Sequence, residues 1–545
     1  MAAMLDGCSH EEVAHLASFG AFGLQDGNAT RDIRRHYSKG CLIPEPHIVR
    51  CPIWSRSAAK VEEEDVAMFL PHKLFGSLAE YGEFDRLMGV SRLEAFWDAV
   101  LPNDPRLYFL LHEQGLVKDA LRKYIPLFLH GDGVEFVDDG SIMVWHTGSI
   151  LSIGDSMDSS LLLAAFPKKC TLLPKDNKDK RLSTWKPICE ALATSFELAF
   201  KGQDEKGKPL HPQGYKFVVW TLTGDHEHFS NNLNLPHWQK NNWCWQCDAC
   251  QGIKADPTKD GKEFREQLSN CVPRTMEAER ANRLSCHPFF TIPGVSTFTV
   301  EHDALHALFC HGLAAHALGS IIHGWLWPGD RGQNDKVEVR NRLADLWVDI
   351  QRGYKEKESP MRLSGLRLTM ICDPVKPFQD WPSLKGKGSE LKHLVPVILD
   401  IAIARSNGSD YDLHAIGAFT ALTMFSQLID DSDMVPTPEI AETARHLMQQ
   451  FLLHNQWLNR FCIGQGVMKW HVVYKHHMAQ HLAYNFQFLS PRFSWCFKAE
   501  DFVGRMSRLA HSCTFGVRTS RLTLKFMAKY RLMLHVRFTR DLQTD

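Results

Sequence analysis

Apolar positions follow strand-like spacing in the first half of the chain and helical spacing afterwards. Four runs are rich in apolar and β-branched residues and bounded by turn residues, as strands are: PLFLHGD, SIMVWHTGSIL, LLLAAFPKKCTLL and YKFVVWTLTGD. Asp138-Asp139-Gly140 separates the first two runs and indicates a hairpin. TWKPICEALATSFELAF, between the third and fourth runs, repeats apolar residues at helical spacing. The predicted order is strand, strand, strand, helix, strand.

The same patterning divides the chain into five regions. Residues 1–60 have little periodicity and are predicted to be poorly ordered, whereas residues 61–120 are predicted to be a helical N-terminal region, with helical spacing from Glu64 onward. Residues 121–240 hold the predicted strands, as the first part of an α/β core. Residues 241–465 combine a cysteine-rich stretch with long helical patterns and no fixed repeat, which indicates an all-α insertion. Residues 466–545 return to the core and end in a basic helix.

Composition and charge narrow the class of protein. The 545 residues are 44% hydrophobic and 23% charged, as in soluble globular proteins. The net charge of −1 does not indicate a nucleic-acid binder, but nine Lys and Arg against three acids follow from Asp501 onward. The fifteen cysteines occur without a signal-peptide pattern or an apolar run of about 18 residues. We therefore expect a protein in a reducing, intracellular compartment, without membrane contact.

Three acids stand where they could meet. Asp132 and Asp225 each end an apolar run, and Glu500 lies near the start of a late amphipathic helix. Three carboxylates on neighbouring elements can hold two divalent cations about 3.5–4 Å apart. Oxygen ligands favour Mg²⁺ or Mn²⁺ over zinc. For either aspartate taken alone, a turn or helix cap is the commoner role.

The segment WCWQCDAC predicts a second metal site. Cys244, Cys247 and Cys250 are separated by two residues each, and two thiolates at that spacing can bind one tetrahedral zinc. Further ligands are sought among four residues that follow: Cys271, Cys286, His287 and His306. The alternative is a set of reduced cysteines packed in a core beside two tryptophans.

Two histidine patterns carry weaker signals. Asp303 and His306 are three residues apart, as in an ordinary helical ion pair. A later segment is dense in histidine, at His471, His476, His477 and His481. His477 and His481, four apart, could bind metal or phosphate, but incidental histidines on a surface or partly buried helix are favoured.

Taken in order, these segments resemble one family over the chain from about Leu70 onward. They are HGDG at 130–133, TGDHEHFSNNLNLPHW at 223–238, the Cys244/Cys247 pair, the Asp303/His306 pair, and MKWHVVYKHH followed by LSPRFSWCFKAEDFVG. This series is similar to that of cut-and-paste DNA transposases of the CACTA and hAT type. Transposon-derived proteins of dinoflagellates are the nearest in appearance.

The resemblance implies a fold and a chemistry. The fold would be α/β, with a ribonuclease-H-like mixed sheet interrupted by an all-α insertion. Asp132, Asp225 and Glu500 would be the catalytic triad, with Asp501 as the alternative third acid. The activity would be metal-dependent DNA strand cleavage and strand transfer, in the nucleus or the cytoplasm, by a chain that can form a homo-oligomer.

DNA would then be the partner, at transposon ends or at a target. Its phosphates are expected to contact basic residues after Asp501, with these side chains as candidates: Arg505, Arg508, Lys525, Lys529 and Arg531. Cys8, Cys41 and Cys51 are too dispersed for the zinc finger that usually precedes this family's catalytic domain. The alternative is therefore a domesticated or decayed relative that binds DNA or protein without catalysis.

Overall fold

The structure is a computed structural model. It describes residues 40–55, 58–137, 140–172, 183–240, 242–249, 287–328, 336–514 and 521–541. These residues form a mixed α/β structure, in which a six-stranded mixed sheet is combined with a helical C-terminal part. The α/β class predicted from the sequence is therefore confirmed.

Six strands form the sheet, in the spatial order β1-β2-β5-β4-β3-β6. Their bounds are β1 His47–Ser55, β2 Lys60–Met68, β3 Tyr124–Val137, β4 Gly140–Ser149, β5 Leu161–Pro167 and β6 Lys216–Thr223. Every neighbouring pair is antiparallel except β3 and β6, which run parallel. The carboxyl ends of β3 and β6 therefore lie at the same edge of the sheet.

Helices flank and follow the strands. The helices between the strands and directly after β6 are α1 Pro71–Glu80, α2 Phe84–Met88, α3 Leu93–Ala99, α4 Pro105–Tyr108, α5 Ser156–Ser159, α6 Trp185–Lys201 and α7 His226–Asn232. Beyond it they are α8 Leu313–Leu326, α9 Lys336–Glu356, α10 Gly388–Arg405, α11 Asp410–Asp431, α12 Pro438–Gly464, α13 Lys475–Asn485, α14 Phe497–His511 and α15 Leu522–Asp541.

The predicted succession of strands is confirmed. The four apolar runs form β3, β4, β5 and β6, and the helical pattern between the last two forms α6. The strands β3 and β4 are joined as a hairpin across residues 138–139, which lie outside the described residues. The long helical patterns of the insertion appear as α8 to α12.

The prediction for the N-terminal part is wrong at β1 and β2, whereas α1 to α4 lie in the rest of the region predicted to be helical. Instead of a poorly ordered segment and a helix from Glu64, β1 and β2 form an antiparallel ribbon over nine residue pairs. Only Met68 of β2 pairs with β5, so most of this ribbon extends beyond the main sheet. The outer positions of the ribbon face solvent and hold charged residues, such as Arg50 and Asp65, which pair at 3.0 Å. These residues interrupt the alternation of apolar and polar positions that would have predicted a strand.

Neighbouring residues of β4 identify what covers each face of the sheet. Trp145 and His146 point to opposite faces because successive strand residues alternate. The Trp145 ring lies 6.5 Å from Trp185 of α6, whereas the His146 ring lies 4.6 Å from Phe502 of α14. His130 pairs with His146 in the register, so Asp132, two residues further, lies on the face covered by α14.

Buried apolar residues extend from this sheet into the helical part without a break. The segment Leu305–Leu326 is long and apolar enough to cross a membrane by length and composition alone, but 78% of its most apolar window is buried inside the protein. Such burial is typical of a core helix.

Candidate functional site

The parallel pairing of β3 with β6 places the first two predicted acids side by side. His130 pairs with Thr223, and each acid follows two residues later, Asp132 after His130 and Asp225 after Thr223. Burial raises the pKa of Asp132 to about 6, and the charge of Asp225 acts in the same direction. The two carboxylates therefore share one electrostatic environment at the edge of the sheet.

The glycines around Asp132 are explained by close neighbours. A side chain at Gly131 would collide with the His228 ring, and one at Gly133 would collide with the end of Lys168. The backbone N–H of Gly133 also donates to Asp132 Oδ1 at 2.6 Å. The two glycines thus allow a histidine and a lysine to approach the backbone on either side of this acid.

Asp225 has two roles in the geometry. Its Oδ1 accepts a hydrogen bond of 2.5 Å from the His228 backbone N–H and so caps the short helix α7. The helix-cap alternative is therefore correct for Asp225, and it does not conflict with the position of this carboxylate beside Asp132.

Glu500, on α14, is connected to the same region by a series of contacts that includes two residues of the insertion. Asp303 Oδ1 accepts a hydrogen bond of 2.8 Å from the Cys496 backbone N–H, and Asp303 Oδ2 lies 2.5 Å from His306 Nδ1. The other ring nitrogen, His306 Nε2, lies 3.8 Å from Glu500 Oε1. The Asp303–His306 pair thus connects the start of α14 to the cluster of acids.

We define Asp132, Asp225, Asp303 and Glu500 as the acidic cluster, and the charges of this cluster influence the pKa values of Glu500 and His306. Burial raises the pKa of Glu500 to about 7, and the negative charges of the other three acids add to this shift. Burial alone would lower the pKa of His306, but its hydrogen bond to Asp303 and the nearby acids raise it to about 9. The imidazolium of His306 therefore compensates part of the negative charge.

Asp501 lies in a different environment from Glu500. Asp501 Oδ2 accepts a hydrogen bond of 2.5 Å from Ser156 Oγ and lies 3.0 Å from Arg505 Nε. Its neighbour Glu500, by contrast, interacts with His306 and the other acids. Of the two candidates for the third acid, the structure thus brings Glu500 into the cluster.

A cleft of about 900 Å³ adjoins the start of α14. Thr223 at the end of β6 and Ala499, next to Glu500, contribute to its wall. Three cationic side chains, Arg92, Arg492 and Lys498, also line it, together with two acids, Asp431 and Asp433. Burial lowers the pKa of Lys498. The cleft offers a mixed polar and apolar surface beside the acidic cluster.

The cysteine pair meets two histidines that sequence analysis treated as incidental. Cys244 Sγ lies 3.3 Å from His481 Nε2, and Cys247 Sγ lies 3.2 Å from His477 Nε2. Both histidines are buried on α13, which contradicts the interpretation of an incidental surface pattern. The Cys2His2 group, as we call these four residues, therefore joins segment 242–249 to α13.

The ligands proposed earlier to complete a cysteine site are not in this group. Cys250, Cys271 and Cys286 lie outside the described residues, so their places are not defined. His287 caps the turn Pro288–Thr291, and His306 belongs to the acidic cluster, so the prediction that either would join the cysteines is wrong.

The two remaining histidines of the dense segment have other contacts. The His471 ring stacks on Trp381 with 4.5 Å between centroids. His476 Nε2 lies 3.1 Å from the amide nitrogen of Asn455. Neither belongs to the groups of potential metal ligands found among the described residues.

The predicted DNA contacts differ in availability. Arg508 is exposed on α14, whereas Arg505 is paired with Asp501 at 3.0 Å and with Asp155 at 3.4 Å. Lys529 donates to the Ser512 carbonyl at 2.8 Å. These residues, with the half-buried Lys525 and Arg531, lie on two helices. Tyr530 and its apolar neighbours on α15 are buried, so that helix is also part of the core.

Three residues near the acidic cluster were not predicted. They are Lys168, Lys475 and Cys496. Lys168, together with His306, acts against the rise in the pKa of Asp132. Lys475 of α13 donates to the Cys310 carbonyl at 2.7 Å. Burial lowers the pKa of Lys475 to about 8, while nearby Cys310 and the acids act against the shift. Cys496 donates its backbone N–H to Asp303, and its side chain interacts with the same carboxylate. Isolated lysines and a backbone donor leave no pattern in a sequence, so no signal could have identified them.

In comparisons with known proteins, the chain matches no family model and no curated protein.

Proposed function

We propose that this chain is a transposase-like protein whose acidic cluster serves metal-dependent DNA strand cleavage and strand transfer. Asp132, Asp225 and Glu500 would be the catalytic triad on a ribonuclease-H-like core. The observation that carries the proposal is that Asp132 and Asp225, from β3 and the end of β6, both act electrostatically on Glu500 of α14 and raise its pKa. They are separated by as many as 368 positions in the sequence, so local sequence proximity does not account for their meeting.

The order of elements supports the fold proposal. Three antiparallel strands, β3, β4 and β5, are followed by helix α6 and by β6, which pairs in parallel with the first of them. This is the order that the resemblance to ribonuclease-H-like transposases implies. The helical segments α8 to α12 lie between the second and third acids, where that resemblance implies an insertion.

The electrostatics support divalent cations as cofactors. The charge of Asp225 raises the pKa of Asp132, and the charges of Asp132 and Asp225 raise the pKa of Glu500, so ionisation of all three acids is unfavourable and a bound cation would relieve their repulsion. The donors are oxygens, which suit Mg²⁺ or Mn²⁺. Such a cation pair would supply activation of water or a 3′-hydroxyl and stabilisation of the leaving oxygen of a phosphodiester.

The protein's own residues would orient the reaction. The Asp303–His306 pair would hold Glu500 in place as a positioning unit, since His306 lies between Asp303 and Glu500. Lys168 and Lys475 would contribute positive charge near developing oxyanions. The neighbouring 900 Å³ cleft, with Arg92, Arg492 and Lys498, would accept part of the DNA backbone.

A direct test compares cation binding with DNA nicking. Wild-type protein should bind Mn²⁺, followed by electron paramagnetic resonance, and should nick supercoiled plasmid in Mg²⁺ or Mn²⁺. Asp132→Asn and Asp225→Asn should lose both properties. Glu135→Gln, an exposed acid on the same strand as Asp132, is the matched control and should keep both. Nicking that survives the Asp132 and Asp225 substitutions would refute the proposal.

The alternative is a decayed or domesticated relative that binds DNA or protein without catalysis. The observation that favours it is the state of the expected DNA contacts, since Arg505 and Lys529 already have partners within the chain. It predicts Mn²⁺ binding at the acidic cluster without nicking under any divalent cation. The same pair of assays therefore separates the two functions.

A further inference from the structure

Four potential ligand atoms of the Cys2His2 group converge on one point. The sulfur atoms of Cys244 and Cys247 and the Nε2 atoms of His477 and His481 all lie within 4.8 Å of one another. The two Nε2 atoms are 3.0 Å apart, and each lies 3.2–3.3 Å from one sulfur. All four residues are buried.

Hydrogen bonding alone does not satisfy this arrangement well. Each Nε2 atom faces a cysteine sulfur and also the Nε2 atom of the other histidine. The two rings can share a hydrogen bond only if one ring carries its proton on Nε2. Neutral imidazole nitrogens and thiolates each direct a lone pair to the shared point, which is the arrangement that a cation stabilises.

The distances fit a tetrahedral zinc ion. Zinc bonds of about 2.3 Å to sulfur and about 2.0–2.1 Å to nitrogen place tetrahedral ligands about 3.5 Å apart for sulfur and nitrogen and about 3.3 Å apart for two nitrogens. The observed values of 3.2–3.3 Å and 3.0 Å are slightly shorter. Two soft sulfurs with two imidazoles select zinc over the oxygen-seeking Mg²⁺.

We propose that Cys244, Cys247, His477 and His481 bind one zinc ion in a closed, structural site. Zinc binding at this site does not require the proposed nuclease activity. Trp243 and Trp245 are fully buried beside it, and the Trp243 ring lies 5.0 Å from that of His477, so water is excluded from the ligands. With four protein ligands, no position is left for a substrate.

The zinc ion would fasten α13 to the edge of the sheet. Segment 242–249 is itself held there, because Trp245 Nε1 and Gln246 Nε2 donate to the Val300 carbonyl at 3.3 and 3.2 Å. Val300 forms a bridge with Leu222 of β6. At the other side, α13 begins with Lys475, whose Nζ donates to the Cys310 carbonyl at 2.7 Å, and Cys310 itself lies in one group with His306 and Glu500. The ion would thus position Lys475 relative to the acidic cluster.

The test uses the full-length protein and measures metal directly. Wild-type protein purified without added chelator should contain about one zinc per chain. After replacement of zinc by Co²⁺, it should show the intense visible bands of a four-coordinate site and a thiolate-to-cobalt charge-transfer band. Cys244→Ser and His481→Asn should reduce the bound metal and alter both features.

Cys310→Ser is the matched control. Cys310 belongs to a separate group of potential ligands, with His306 and Glu500, and its replacement should leave zinc content and the cobalt spectrum unchanged. The proposal is overturned if wild-type protein shows no charge-transfer band with Co²⁺. It is also overturned if Cys310→Ser loses the metal while Cys244→Ser retains it.

A second measurement covers variants that fail to fold. In wild-type protein, a chelator should make Cys244 and Cys247 reactive towards iodoacetamide, mapped by mass spectrometry. Cys189, equally buried but outside the group, should react less than they do. Equal reactivity of all three cysteines before and after chelation would contradict a zinc site.

Discussion

Glu500 Oε1 lies 3.8 Å from His306 Nε2, although 193 residues separate the two in the chain. Since Asp303 holds the other ring nitrogen, the imidazolium links an acid of the insertion to an acid of α14. Through this contact Glu500 has a charge partner that its neighbour Asp501 does not share. The roles of the two acids can therefore be distinguished by mutation.

We predict that Glu500→Gln abolishes metal-dependent nicking, whereas Asp501→Asn leaves it within a few-fold of wild type. Loss of one transition-state-stabilising group typically costs about 10²–10³ in rate. Asp501 instead accepts hydrogen bonds from Ser156 and Arg505, so its removal should affect only local packing. Plasmid nicking rates measure both variants, and circular dichroism checks that they fold. A greater loss in Asp501→Asn than in Glu500→Gln would contradict the assignment of the third acid.

The effect of Mg²⁺ on the stability of the folded protein should depend on pH. The pKa of Asp132 is raised from 3.8 to about 6 and that of Glu500 from 4.5 to about 7 in the folded protein. Because the folded pKa is above the unfolded one, stability from these groups is present below about pH 4 and is lost as pH rises towards 7. Mg²⁺ should offset that loss, so it should raise the melting temperature more at pH 8 than at pH 5.

Glu500→Gln provides the control for this pH dependence. It removes one of the shifted carboxyl groups, so the increment in melting temperature caused by Mg²⁺ at pH 8 should become smaller. An increment that is equal at pH 5 and pH 8 would show that the ion stabilises the protein elsewhere.

The main sheet could be predicted because its strands are buried on both faces. β5 consists entirely of buried residues, and β6 is buried in all but its first position, so each appears in the sequence as a continuous apolar run. The ribbon of β1 and β2 could not be predicted in this way. Its cross-strand hydrogen bonds do not require apolar side chains, and Glu63 and Asp65 face solvent.

The four residues of the Cys2His2 group also differed in how well the sequence could predict them. Cys244 and Cys247 are close in sequence and gave a signal, but His477 lies 230 residues after Cys247. Only the packing of α13 against segment 242–249 brings these side chains together. A histidine-rich helix has many explanations, so the two histidines that meet the cysteines could not be chosen without the fold.

A buried ion-pair network should be important for stability. Arg106 lies 2.7 Å from Glu301 and 2.8 Å from Asp104, and its guanidinium stacks over Trp220 at 4.7 Å. Arg106→Ala would leave two buried carboxylates without their cation, which typically costs about 3–5 kcal/mol. We expect a marked fall in the urea midpoint, followed by tryptophan fluorescence.

Arg122→Ala is the matched control for this network. Arg122 also pairs with two acids, Glu94 and Asp98, but all three side chains are largely exposed. Exposed pairs contribute about 0–1 kcal/mol, so the urea midpoint should change little. Equal shifts for the two arginine variants would contradict a special role for the buried network.

The last prediction concerns DNA, and it follows from the difference between two arginines on α14. Arg508 is exposed, whereas Arg505 is already paired with Asp501 and Asp155. A side chain that neutralises one phosphate contributes about 0.9 to the slope of log affinity against log salt. Arg508→Ala should therefore lower that slope by about 0.9, similarly for all DNA sequences, since phosphate contacts do not select bases.

Arg505→Ala should change the slope less, because its guanidinium must leave two carboxylates before it can bind a phosphate. Fluorescence anisotropy with a labelled duplex, at several salt concentrations, measures both slopes. Lys201→Ala on α6, an exposed lysine paired with Glu197 of its own helix, is the control and should match wild type. A larger effect for Arg505 than for Arg508 would mean that DNA breaks the ion pairs of Arg505. Binding that does not weaken with salt would instead refute a phosphate-contacting surface on α14 altogether.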